Sequence, residues 1–175
     1  GCGGRGEAHV NALKDENIVA FCDVDELRAA DSFKLYPNVP RFTDYRKMLD
    51  VMGNQIDSVC ISTPDHTHTL PALASMQIGK HVYVEKPLTH NIGEARQLLE
   101  ASRKYKVVTQ MGNQGSSMKC NAQLSEWVQS GAIGKVHTAH VWTNRPVWPQ
   151  GVPTPKGQKE VHNTLDWNLW LGPAP

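Results

Sequence analysis

GCGGRG, residues 1–6, is the stretch on which the fold turns. Gly1, Gly3 and Gly6 fill a G-x-G-x-x-G pattern, whose glycines permit a tight turn, admit a diphosphate to the backbone and let a helix lie close to a strand. Gly4 and Arg5 complete the turn and are candidates for the same contact. The helix that follows offers free N–H groups and the positive end of its dipole to phosphates. Glycine-rich turns are common, so the hexapeptide carries little by itself. Its weight comes from NIVAFCD (17–23), whose nearly continuous apolar positions fit a strand covered on both faces. The run ends in Asp23, near the spacing of about 20 residues at which an acid meets a ribose. A carboxylate there accepts from the ribose hydroxyls of NAD and repels the additional phosphate of NADP, so NAD is the expected cofactor, ahead of NADP. Capping the next helix is the competing use of Asp23, although Asp25 is also available for that.

Outward from this turn, β-branched or apolar runs alternate with amphipathic stretches of about ten residues, the signature of βα units around a parallel sheet. Asp25 is expected to cap a helix over ELRAADSFKLY (26–36), stopped by Pro37. A short strand near 39–42 precedes a helix in DYRKMLDVM (44–52), where Tyr45, Met48, Leu49 and Met52 share a face. The strand SVCIS (58–62) leads through a loop to the helix LPALASMQI (70–78), ended by Gly79. HVYVE (81–85) reads as the next strand and IGEARQLLEASRKY (92–105) as a helix with Ala95, Leu98, Leu99 and Ser102 on one face. The strand VVTQM (107–111) and a helix over NAQLSEWVQS (121–130) complete the series. The expected fold is α/β, a Rossmann-type doubly wound parallel sheet. In such a sheet the first strand lies in the middle and ends at the glycine turn. No strand precedes Gly1, so the chain reads as a stretch of a longer polypeptide lacking that element. KVHTAHVWTN (135–144) alternates like a half-exposed strand and is expected to open a second, α+β domain. The run RPVWPQGVPTPKGQKEV (145–161) is too rich in proline and glycine for regular structure. The expected division is therefore a nucleotide-binding domain over residues 1–134 and the start of a second domain over 135–175.

The 175 residues suffice for one good core and little more. Lys and Arg total 18 against 17 for Asp and Glu, which gives no excess of charge to attract nucleic acid or an anionic membrane. The apolar runs fall short of the roughly 20 residues that a membrane span needs. Cys2, Cys22, Cys60 and Cys120 are scattered, without a C-x-x-C pair, and read as small buried thiols.

Two further loops leave the carboxyl ends of strands, the side on which open α/β sheets bind ligands: STPDHTH (62–68) and EKPLTHN (85–91). With them the chain resembles the Gfo/Idh/MocA family, named for glucose-fructose oxidoreductase, inositol dehydrogenase and MocA. The resemblance rests on the glycine turn, on Thr63, Pro64 and His68 of a T-P-x-x-x-H loop, on GKHVYVEKP (79–87) and on GAIGKV (131–136). WTNRPVWPQG (142–151) and DWNLWLGPAP (166–175) are similar to one bacterial branch of that family, whose members often carry a twin-arginine export signal. A cytoplasmic and an exported location are both compatible with this likeness. The resemblance implies a Rossmann domain followed by an α+β domain that binds substrate and joins copies into homo-oligomers. It also implies hydride transfer between NAD and the CH–OH group of a sugar, cyclitol or related carbohydrate, the work of a dehydrogenase. By the same likeness Lys86 is the catalytic lysine and touches both cofactor and substrate, while Glu85 and Pro87 help to set its position. His68 is then the family histidine near the cofactor, and Thr63 and Pro64 border it. Lysine chemistry agrees, since an alcohol gives up hydride readily only when a base shares its hydroxyl proton. The Lys86–Pro87 bond is a candidate for the cis form.

Members of the family complete the site with an Asp and a His of the second domain, and neither His162 nor Asp166 matches that pattern. His66 and His68 form an H-x-H pair, but no cysteine or carboxylate at a supporting spacing argues for zinc, so no metal is expected. Trp142, Trp148, Trp167 and Trp170 could stack on a ring or fill a core. Trp142 and Arg145 are candidates for substrate contact. Asn113 and Gln114 follow a strand end and are candidates for cofactor contact, although a polar turn needs no such role. Where the family commonly has an arginine, Ser116, Ser117 and Met118 stand here, which weakens any transfer of substrate class. Two other readings stay open: an NAD-dependent glycosidase that oxidises its sugar transiently, and a nucleotide-binding regulator without catalysis.

Overall fold

The computed structural model describes residues 1–157 and 159–174. They form two units, one made of Gly1–Gly112 together with the chain from Val161 on, the other spanning Asn113–Glu160.

In the first unit, helices alternate with short strands: α1 (Arg5–Ala12), β1 (Phe21–Cys22), α2 (Ala30–Leu35), β2 (Arg41–Phe42), α3 (Tyr45–Met52), β3 (Ser58–Ile61), α4 (Thr69–Gln77), β4 (His81–Glu85), α5 (Ile92–Tyr105) and β5 (Thr109–Gly112). Every strand pair is parallel. β1 pairs with β2, with Phe21 opposite Arg41, and β4 lies between β3 and β5, with Val84 opposite both Ile61 and Met111. The fold is Rossmann-like, as the alternation of patterns predicts. No pairing joins β1 to β3 among the described residues. Gly1 stands between their carboxyl ends: its nitrogen donates to Cys22 O at 2.7 Å, and a Cβ on it would strike the Ser62 carbonyl.

Three apolar clusters hold these layers. Ile61, Val82 and Val84 of the sheet pack with Ala72 and Met76 of α4 and Leu98 and Ala101 of α5. Phe21 packs with Cys2, Val10, Ala29 and Phe33. Met48, Leu49 and Met52 of α3 pack with Ile56, as their spacing predicts. On α5, however, the buried pair is Leu98 and Ala101, and Leu99 is exposed. The expected stripe was one position out of phase at that residue, because the helix meets α4 along the i, i+3 row rather than the i, i+1 pair. Strands are also shorter than their apolar runs, since ladder bonds form only where a neighbour is in register; the run 17–23 contributes two strand residues and 107–111 begins its strand at Thr109. The helix expected over 26–36 opens as turns in which Asp25 Oδ1 accepts from Leu27 N and Arg28 N, and it becomes regular at Ala30.

The second unit holds a 3₁₀ turn at Gln114–Ser117 and the helix α6 (Lys119–Gln129). The strand expected over 135–144 is not formed, because no neighbouring segment among the described residues supplies the ladder that an alternating pattern requires. Back in the first unit, the short helix α7 (Trp167–Leu171) is capped by Asp166, whose Oδ1 accepts from Leu169 N at 3.0 Å. No described helix is long and apolar enough to cross a membrane.

Candidate functional site

The glycine turn is held on all sides by backbone. A Cβ at Gly3 would meet the Arg28 carbonyl, and one at Gly6 would meet the Gly1 carbonyl, so no larger residue fits either place. Ser32, almost fully buried, donates its hydroxyl to Cys2 O at 2.6 Å and fastens the turn to α2. Asp23, at the end of β1, accepts from Cys2 N at 2.6 Å and from Gly3 N at 3.3 Å through Oδ2, and from Asp25 N at 3.0 Å through Oδ1. The acid expected at a ribose therefore also sets the shape of the turn. It lines a cavity of about 260 Å³ together with Glu26, Phe33, Arg41, Thr43 and Lys47.

The loop after β3 carries Thr63, Pro64, His66 and His68. His68 is 1% exposed, and its ring lies between two carbonyls, with Nδ1 2.6 Å from Pro87 O and Nε2 2.9 Å from Thr63 O. It thus clasps the loop after β3 to the loop after β4. Thr63 Oγ1 is buried with no hydrogen-bond partner. His66 turns elsewhere, its Nε2 3.0 Å from Trp170 O. Both histidines of the H-x-H pair are accounted for by carbonyls, and no group of three metal-ligating side chains occurs among the described residues.

At the end of β4, Glu85 is buried: Oε1 accepts from Arg5 Nε at 3.0 Å and lies 2.7 Å from His9 Nε2, and its other oxygen accepts from Lys86 N at 3.2 Å. A Cβ on Gly112 would press on Glu85 Oε1 and on the Tyr83 hydroxyl, so the end of β5 leaves room for this carboxylate only as glycine. A lone carboxylate buried at that depth costs on the order of several kcal/mol, the scale of an unpaired buried ion; the Arg5 guanidinium on α1 and the hydrogen bonds that Glu85 accepts offset it. The bond to Glu85 also holds the Arg5 guanidinium above its ordinary value. Lys86 itself is exposed, and the Lys86–Pro87 bond is cis. His9, which lies edge-on to Tyr83 at 5.1 Å between centroids, was not singled out from sequence. A histidine four residues into a helix after Arg5 carries no signal until Glu85 is placed beside it.

Gly1, Gly3, Gly4, Arg5, Gly6, Asp23, Thr63, Pro64, His68, Glu85 and Lys86 all belong to the first unit, at or beside the carboxyl ends of β1, β3 and β4. Asn113, Gln114, Trp142 and Arg145 belong to the second unit. Asn113 Nδ2 donates to Ser116 Oγ, closing its own turn, and Trp142 is 85% exposed, so it fills no core.

A parallel sheet, a glycine turn with no room for side chains, an acid at the end of the next strand and an unpartnered hydroxyl at the rim together define a dinucleotide-binding protein. The residues fit NAD: the turn and the N-terminus of α1 suit its diphosphate, and Asp23 suits its adenosine ribose. The family described as oxidoreductases with an NAD-binding Rossmann fold, Gfo/Idh/MocA, matches residues 1–113, and the chain belongs to it. It is 26% identical over 152 residues to the myo-inositol 2-dehydrogenase of Thermotoga maritima, covering 85% of this chain and 45% of that one. With oxidoreductase P35 of Formosa agariphila it shares 30% over 145 residues, covering 81% and 44% respectively. The chain thus spans less than half the length of these curated relatives. Among solved structures, an NAD-binding oxidoreductase from Klebsiella pneumoniae superposes with a TM-score of 0.65 at 27% identity, over 77% of this chain and 38% of that one.

Proposed function

We propose that the full-length protein is an NAD-dependent oxidoreductase that transfers hydride between the nicotinamide and the CH–OH group of a sugar, cyclitol or related carbohydrate. The observation that carries this reading is the anchoring of Lys86. On one side Glu85 is tied to Arg5 and His9 of the helix that follows the glycine turn. On the other the His68 ring holds the Pro87 carbonyl. A lysine on such a footing keeps a fixed relation to a cofactor seated on the same rim.

NAD supplies the hydride acceptor. Lys86 Nζ accepts the substrate hydroxyl proton as the carbinol carbon loses hydride, and returns it in the reverse direction. Asp23 and the turn bind and orient the adenosine end, Thr63 and Pro64 border the cofactor, and the buried His68 ring fixes the loop of Lys86 through the Pro87 carbonyl. Residues 135–160, in the second unit, begin on this reading the domain that takes substrate and through which copies assemble. Relatives named inositol 2-dehydrogenase direct the first assays toward cyclitols.

The test is reduction of NAD by the full-length protein with inositols and common sugars. Lys86→Ala is expected to lower kcat by roughly 100-fold or more, the scale of lost general-base catalysis. Turnover undiminished in that variant would show that another group takes the proton.

A further inference from the structure

Residues 162–172 do not hang free of the sheet. Thr164 Oγ1 donates to Asp25 Oδ1 at 2.9 Å, Glu26 N donates to Thr164 O at 3.3 Å, and Asp166 N donates to Val24 O at 2.8 Å. Asp25 and Leu165 form an antiparallel bridge. A few residues further on, His66 Nε2 lies 3.0 Å from Trp170 O and its ring meets the Trp170 ring edge-on at 5.3 Å. A Cβ on Gly172 would touch Thr67 Cγ2, so this segment also lies against the loop after β3. Trp167 and Trp170 stack at 5.0 Å between centroids.

The two anchorages are informative in their placement. One is the loop that begins at Asp23, after β1. The other is the loop that carries Thr63, after β3. Between the ends of these two strands sits Gly1, at the start of the glycine turn. The segment therefore joins the loop of Asp23 to the loop of Thr63 across the start of the glycine turn.

We infer that residues 164–172 are part of the cofactor site, a strap that ties the loop after Asp23 to the loop of Thr63 and sets how fast the dinucleotide leaves. The inference rests on the reading of this rim as an NAD site. Because the strap is fastened by hydrogen bonds to loops and not by a core, weakening its anchors frees the rim without dismantling the sheet.

The experiment follows NADH release from the full-length protein in a stopped-flow, by loss of energy transfer from tryptophan when excess NAD displaces bound NADH. Thr164→Val removes the donor to Asp25, and His66→Phe keeps a ring against Trp170 while removing the nitrogen at its carbonyl. Each is expected to speed release about five- to tenfold, the fold-change of one ordinary hydrogen bond, with the thermal midpoint little moved. Release at the wild-type rate in both variants, with NADH still bound, would overturn the strap and leave the NAD reading standing. Absence of any NADH signal in the wild-type protein would overturn the NAD reading and the strap with it. Should one variant unfold, the release rate of the other decides.

Discussion

Cys2, Cys22 and Cys60 line the strands and turn that carry the site, and burial pushes all three thiols up, Cys22 to about 12. Against the expectation of four buried thiols, Cys2 is buried, Cys22 and Cys60 are partly buried, and Cys120 is exposed on α6, where no layer covers the helix within its unit. Burial thus keeps Cys22 as the thiol, and the thiolate is the reactive form. Brief alkylation of the native protein, read by peptide mass spectrometry, is expected to mark Cys120 and spare Cys2 and Cys22; equal labelling of all four would contradict this packing. Other residues differ in how far they could be read from sequence. Gly3 and Gly6 were legible because the motif encodes a backbone requirement, and the Arg28 and Gly1 carbonyls supply it. Asp23 was legible by spacing, but not its bonds to Cys2 N and Gly3 N, which depend on how the turn folds back. His9 and Glu85 are 76 positions apart, and only the sheet brings them together.

Among the elements, α5 shows how local chemistry sets a boundary. Asn91 Oδ1 accepts from Glu94 N at 3.0 Å, and Glu94 Oε2 reaches back to His90 N at 2.8 Å and to the Thr69 hydroxyl at 2.9 Å, joining α5 to α4. The helix begins at Ile92 and ends at Tyr105, as its pattern predicts. Burial pushes the Glu94 carboxyl up, but the bonds from His90 N and Thr69 outweigh it and hold the group below its ordinary value. A carboxyl depressed in the folded state stabilises above its unfolded pKa and loses that contribution as pH falls through the folded one. Asn91→Ala is expected to cost about 1 kcal/mol in chemical denaturation, the usual scale of an N-cap. Glu94→Gln should be less stable than wild type near neutrality, with the difference shrinking below about pH 4. A difference independent of pH would mean that the charge plays no part. Strands were legible as apolar runs but not in length, since β1 keeps only the residues that face β2. The alternation in 135–144 was read as a strand on pattern alone, and pattern cannot provide a partner.

For the whole molecule, the order of strand and helix gave away the parallel sheet, and the loops at its carboxyl rim held the candidate chemistry. The tail from Val161 on was harder to read. Proline and glycine before it argue for irregular chain, yet Thr164, Asp166 and Trp170 return it to the rim through contacts with Asp25, Val24 and His66. Such contacts have no local signature, because each joins residues more than 100 positions apart. The site is thus assembled by topology from short segments, each weak alone. A crystal structure of the full-length protein with NADH tests that assembly most directly. The diphosphate should lie against Gly3–Gly6 and the first turn of α1, the adenosine ribose on Asp23, and the nicotinamide beside the amine of Lys86. NADH bound away from the glycine turn, or a nicotinamide out of reach of Lys86, would contradict the account.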